Sequence, residues 1–94
     1  MTGASSGFGA GVYSNLRYQG HEVYGVGLGG PDFNRDFLDR EDIEEDINEI
    51  FDLFPDPEVL LLNAAITRID FLPNHTLKNF KDVLHVNLLV PFLF

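Results

Sequence analysis

Cysteine is absent, which excludes a disulfide framework and a thiolate metal centre. Histidine is sparse as well: His21, His75 and His85 are scattered without zinc-ligand spacing, and no metal site is expected. Basic residues are few, with 6 Lys and Arg against 15 Asp and Glu, giving a formal net charge of −9. Such a surface argues against a nucleic-acid or anionic-membrane partner, because either would approach like charge. No apolar run reaches the length of a membrane span, and the N-terminus has neither the basic head nor the apolar stretch of a signal peptide. The expectation is a soluble, cytoplasmic protein. Internal repeats and low-complexity linkers are also missing, so residues 1–94 read as one unit whose core is marginal by itself.

What the chain does have is apolar content of 45%, typical of a globular protein, and a glycine-rich stretch at its start. In Thr2-Gly3-Ala4-Ser5-Ser6-Gly7-Phe8-Gly9 the glycines are spaced G-x-x-x-G-x-G and lead into helix-compatible residues. Backbone N–H groups in such a turn, with the positive end of the helix behind them, favour an anion and need no lysine. A phosphate cradle is therefore expected at Gly3, Ser5, Ser6, Gly7, Phe8 and Gly9.

Further along, Ala10 to Tyr18 reads as a helix closed by Gly20, and residues 21–27 as a short β-branched and aromatic strand. Leu28-Gly29-Gly30-Pro31 is loop punctuation, and residues 32–37 form another brief strand candidate. From Arg40 to Phe54 the pattern is helical, with Ile43, Ile47, Ile50, Phe51 and Phe54 on one stripe, Asp39 as N-cap, and Pro55 and Pro57 as the stop. The continuous apolar run Val59-Leu60-Leu61-Leu62 predicts a strand buried on both faces of a parallel sheet. The last helix begins near an N-cap at Thr76 and carries Leu77, Phe80, Leu84 and Leu88 on one face. Pro91 has no N–H to give the Asn87 carbonyl, which predicts a kink and a free acceptor at Asn87. The acidic run Glu41 to Glu49 is a solvated face, and His85 a packing or surface residue.

Strands alternating with helices predict an α/β fold with a doubly wound parallel sheet, which binds ligands at the carboxyl ends of its strands. The glycine turn, Asp36, Asn63 to Ile66 and Asn87 would then gather at one edge as a nucleotide site.

These residues resemble the short-chain dehydrogenase/reductase family. Residues 2–9 are similar to its T-G-x-x-x-G-x-G cofactor motif, Asp36-Phe37-Leu38-Asp39 to D-[V/L]-x-[D/N], Leu62-Asn63-Ala64-Ala65 to N-N-A-G, and His85-Val86-Asn87-Leu88 to x-V-N-[L/V]. The resemblance implies a Rossmann-like sheet, here incomplete, with the first strand and the C-terminal half of the domain missing. It implies NAD or NADP as cofactor, with the pyrophosphate on the glycine turn, adenine at Asp36 with Phe37 along the ring, and ribose beside Asn63, Ala64, Ala65 and Ile66. Leu28 stands where an acidic residue would select NAD and an arginine NADP, leaving both open. Asn87 would be the asparagine of the catalytic Asn-Ser-Tyr-Lys set, holding a water through its carbonyl.

Departures from the family pattern are Leu62 and Ala65 in N-N-A-G, and the lack of room for a helix between Gly27 and Asp36. The serine and Tyr-x-x-x-Lys are not found either: four residues after Tyr13, Tyr18 and Tyr24 stand Arg17, Glu22 and Leu28. The resemblance thus implies the cofactor-binding part of an NAD(P)-dependent oxidoreductase for an alcohol/carbonyl pair. This chain by itself is expected to be inactive and to bind cofactor weakly, and its parent to be a homo-oligomer. The rival expectation is a non-catalytic nucleotide-binding or interaction module.

Overall fold

A computed structural model describes all residues, 1–94. In order, the chain forms α1 (Gly7–Tyr18), β1 (Val26–Gly27), β2 (Phe33–Asn34), α2 (Ile43–Leu53), a short 3-10 turn (Leu72–Asn74), α3 (Leu77–Leu84), a π-helical turn (His85–Leu89) and α4 (Val90–Leu93).

The doubly wound sheet expected from the sequence is not formed. Only β1 and β2 pair, in parallel, with Val26 opposite Phe33 and Gly27 opposite Asn34. Thr2 adds single-residue parallel bridges to Val26 on one side and Leu62 on the other. Residues 21–25 and 59–61 carry strand-like composition but no ladder, because Thr2 is the only residue between their continuations that pairs with both. The run Val59–Leu62 is accordingly not buried on two faces: Val59 is 71% exposed and Leu62 43%. A buried parallel strand needs partners along its length, and here only Thr2 pairs with it.

The helices follow their local signals more closely. α1 begins at Gly7, earlier than the apolar periodicity indicates, with Ser6 as N-cap. It closes with the hydrogen-bond pattern of a Schellman motif, His21 N–H to Leu16 O and Gly20 N–H to Arg17 O, both 3.0 Å. α2 buries Ile43, Ile47 and Ile50 but starts at Ile43, with Asp42 as N-cap. Asp39, the expected cap, instead accepts the Glu41 N–H (3.1 Å) and pairs with Arg35 (3.2 Å). Arg35 also bonds the backbone carbonyls of Asp39 and Glu41 and pairs with Asp46, so it fixes the segment that leads into α2. α3 starts as expected, with the Thr76 hydroxyl accepting the Asn79 N–H at 3.1 Å.

The core lies where β1, α2 and the C-terminal helical segment meet, in Val26, Phe37, Ile43, Ile47, Ile50, Val86 and Val90. Only 14 of 94 residues are buried, so much of the apolar content stays at the surface. The stripe Leu77, Phe80, Leu84 and Leu88 does lie along one face, but that face is exposed; Asp82, His85, Val86 and Val90 turn inward. Asp82 is held there by Lys78 (2.7 Å) and Arg40 (3.1 Å), and the Lys78 ammonium is the main reason its carboxyl titrates below the usual aspartate range. The Pro91 effect takes the form of a π-helical turn from His85 to Leu89, after which α4 resumes with the proline in its first turn. There its missing N–H is no loss to the helix.

Candidate functional site

The glycine turn is shaped by two close approaches. Gly3 has φ +68°, and a Cβ there would lie 2.9 Å from both the Ala64 Cα and the Asn63 Nδ2. At Gly9 a Cβ would lie 1.8 Å from the Gly3 carbonyl oxygen. The first turn of α1 therefore packs directly on the backbone of Gly3, which only a residue without a side chain permits.

Side chains and backbone lock this arrangement. Asn63 Nδ2 donates to the Gly3 carbonyl (3.1 Å), and the Ala64 N–H donates to the Thr2 hydroxyl (2.9 Å). Ser5 Oγ donates to the Leu28 carbonyl (2.7 Å), tying the loop after β1 to the turn. The same loop is held by the Gly29 N–H on Asn34 Oδ1 (2.8 Å). Gly3, Ser5, Leu28, Asn63 and Ala64 are thus brought together by direct hydrogen bonds.

At the head of α1, Ser6 is exposed and its side chain makes no capping hydrogen bond, and no acidic residue stands in the first turn. The first intrahelical acceptor is the Ser6 carbonyl, taken by Ala10 N–H at 3.1 Å. The N–H groups of Gly7, Phe8 and Gly9 consequently stand at the positive end of a helix with no side-chain acceptor supplied, as an anion requires. Phe8 projects into solvent beside them, 81% exposed.

The side chain of Asn87 is engaged as well. Its side-chain amide pairs with the backbone of Ile66 in both directions, Nδ2 donating to the Ile66 carbonyl (2.9 Å) and Oδ1 accepting the Ile66 N–H (2.8 Å). It pins the segment after Asn63-Ala64-Ala65 to the π-helical turn, with Ala65 left exposed between them.

Asp36 and Phe37 make no hydrogen bond to the cluster, although a Cβ at Gly27 would lie 3.4 Å from both the Phe37 ring and the Gly3 amide nitrogen. The Asp36 carboxylate accepts the N–H of Leu38 (2.9 Å), closing a local Asx turn. Phe37 is 4% exposed and meets Phe94 edge-on at 5.8 Å, so its ring packs in the core. An aromatic beside a short polar residue reads equally as a binding pair or a core anchor; burial decides, and that depends on contacts from Ile43 to Phe94 distant in sequence. Thr2 and Asn34 were missed as site residues. For Thr2 the available signal is its place in the glycine motif; for Asn34 there is none, since its role depends on the loop doubling back.

His85 is 5% exposed, with Nε2 buried and unpartnered. Burial, reinforced by Arg40, lowers its pKa below the ordinary histidine value. Protonation thus favours the unfolded chain, and stability falls as pH drops below about 6.5, the unfolded histidine value. Urea unfolding at pH 7 and pH 5 is expected to show a lower midpoint at pH 5, and the variant His85→Gln a smaller difference; an unchanged difference would remove His85 as its source.

No family model matches the chain, and no match to it is found among the curated proteins.

Proposed function

We propose that the chain binds the pyrophosphate of NAD or NADP on the Gly3–Gly9 turn, as the cofactor-binding part of a short-chain oxidoreductase acting on an alcohol/carbonyl pair. The observation that carries this reading is the uncapped first turn of α1, packed through Gly9 onto Gly3 and held by Asn63. Backbone donors fixed in this way need no reorganisation to receive a diphosphate. The Ser5 bond to Leu28, which ties the loop after β1 to the turn, supports a ribose beside Leu28. Asn63, Ala64, Ala65 and Ile66 then flank the second ribose, and Asn87 acts as a positioning residue through Ile66.

Hydride transfer would need a proton donor to the substrate oxygen, and none of Tyr13, Tyr18 and Tyr24 has a lysine one helical turn on. The proposal for the chain itself is cofactor binding without turnover. Affinity should be weak, because the diphosphate is met by backbone N–H groups at an exposed helix start with no lysine or arginine beside them. Titration with NADH, followed by nicotinamide fluorescence, is expected to saturate in the millimolar range and to be reversed by inorganic pyrophosphate. Failure of pyrophosphate to compete would contradict the proposal, and micromolar affinity would contradict the weak anchoring.

A further inference from the structure

β1 and β2 run parallel, yet only residues 28–32 join them. A parallel connection ordinarily takes about a dozen residues or more, commonly with a helix that packs on the sheet and is held by burial. Residues 28–32 have no such helix, so their position depends on individual bonds. Within the connection, Gly30 N–H donates to the Gly27 carbonyl (2.8 Å) and Asp32 N–H to the Gly25 carbonyl (3.1 Å), folding the loop back on its own strand. Those bonds shape the loop without tying it to α1. Two side-chain bonds do that. At one end Ser5 Oγ holds the Leu28 carbonyl; at the other Tyr13, midway along α1, donates its hydroxyl proton to Asp32 Oδ2 (2.9 Å).

The direction of the second bond follows from its neighbour. Arg17, one turn after Tyr13, donates from Nη1 to the phenol oxygen (3.0 Å), and a guanidinium cannot accept, so the phenol proton is left for Asp32. The same Asp32 oxygen accepts the Gly25 N–H (2.7 Å), next to Val26 of β1. One carboxylate oxygen therefore joins α1, the loop and the lead into β1.

We infer that Tyr13 and Asp32 are positioning residues for the nucleoside end of the ligand, their clasp setting where the loop that bears Leu28 stands relative to the first-turn amides of α1. The inference rests on the glycine turn holding the diphosphate. Inorganic pyrophosphate meets the turn alone and is indifferent to the clasp. A diphosphate that carries a nucleoside must also meet the loop, and a loop released from α1 has to be ordered when that ligand binds.

The test is a pair of amide titrations of the full chain, with ADP and with inorganic pyrophosphate, read as the ratio of the two affinities. Tyr13→Phe removes one hydroxyl and is expected to weaken ADP about fivefold while pyrophosphate is unchanged. Asp32→Ala should lower the ratio at least as much, and adding Tyr13→Phe to it should change nothing more, because both remove one bond. Asp32→Asn, whose amide oxygen can still accept from Tyr13 and Gly25, should keep the ratio. Hydrogen exchange of the Gly29 and Gly30 amides should quicken in Tyr13→Phe while that of α1 holds. Failure of pyrophosphate to bind the unaltered chain would overturn the reading of the glycine turn and this inference with it. Pyrophosphate binding with a ratio that neither Tyr13→Phe nor Asp32→Ala changes would overturn the inference alone, as would equal losses for the two ligands.

Discussion

Replacing Gly9 with alanine is expected to destabilise the chain by about 2–3 kcal/mol and to abolish cofactor binding, although alanine is the better helix former by about 1 kcal/mol. The new Cβ would fall 1.8 Å from the Gly3 carbonyl oxygen and 2.5 Å from Asn63 Nδ2. The carbonyl is backbone in a turn already fixed by the Ala64–Thr2 bond, so the helix must move away from Gly3. Gly11 is the internal control. It lies in the same helix with nothing within 4 Å of a Cβ, so Gly11→Ala should stabilise by about 0.5–1 kcal/mol. Thermal unfolding of both variants checks the contrast. Equal effects of the two substitutions would mean that α1 does not rest on Gly3.

Ser6→Asp should separate stability from binding. Ser6 is the N-cap of α1, exposed and making no capping hydrogen bond. A carboxylate there can accept from the free first-turn amides and interacts favourably with the helix dipole, worth about 0.5 kcal/mol, or about 3 °C in Tm for a domain of this size. The same carboxylate occupies the donors that a diphosphate would use and sets like charge against it. The expected outcome is a slightly more stable chain in which NADH fluorescence no longer responds to the protein. A variant that retains binding would place the cofactor elsewhere.

Features with a short sequence span were legible. The G-x-x-x-G-x-G spacing located a turn into α1, Thr76 the cap of α3, and the Ile43, Ile47, Ile50 stripe a buried face of α2. In each case the residues concerned lie within a few positions of one another, and local backbone chemistry determines the result. Most of what failed depends on partners far away in the chain. Val59–Leu62 has the composition of a buried strand, yet pairing extends only to the Thr2–Leu62 bridge. The start of α2 shifted because Arg35 takes Asp39 and the carbonyls beside it, which composition does not reveal. The clasp of the Asn87 side chain on Ile66 joins residues 21 positions apart and leaves no local signal.

The cluster around Gly3 survives the loss of the expected sheet because it is held by side chains. Thr2, Ser5 and Asn63 each make one bond that joins the turn to a separate segment, to Ala64, Leu28 and Gly3 respectively. A binding turn fixed by three such bonds can keep its shape with only a two-stranded ladder behind it.

The most direct test of the central claim is a nitrogen-15 amide titration of the chain with ADP. The expected result is saturable shifts concentrated at Ser5 to Gly9, with smaller ones at Leu28 and from Asn63 to Ile66. Absence of shifts at those amides, or shifts centred on other residues, would contradict the assignment of the glycine turn as a phosphate cradle.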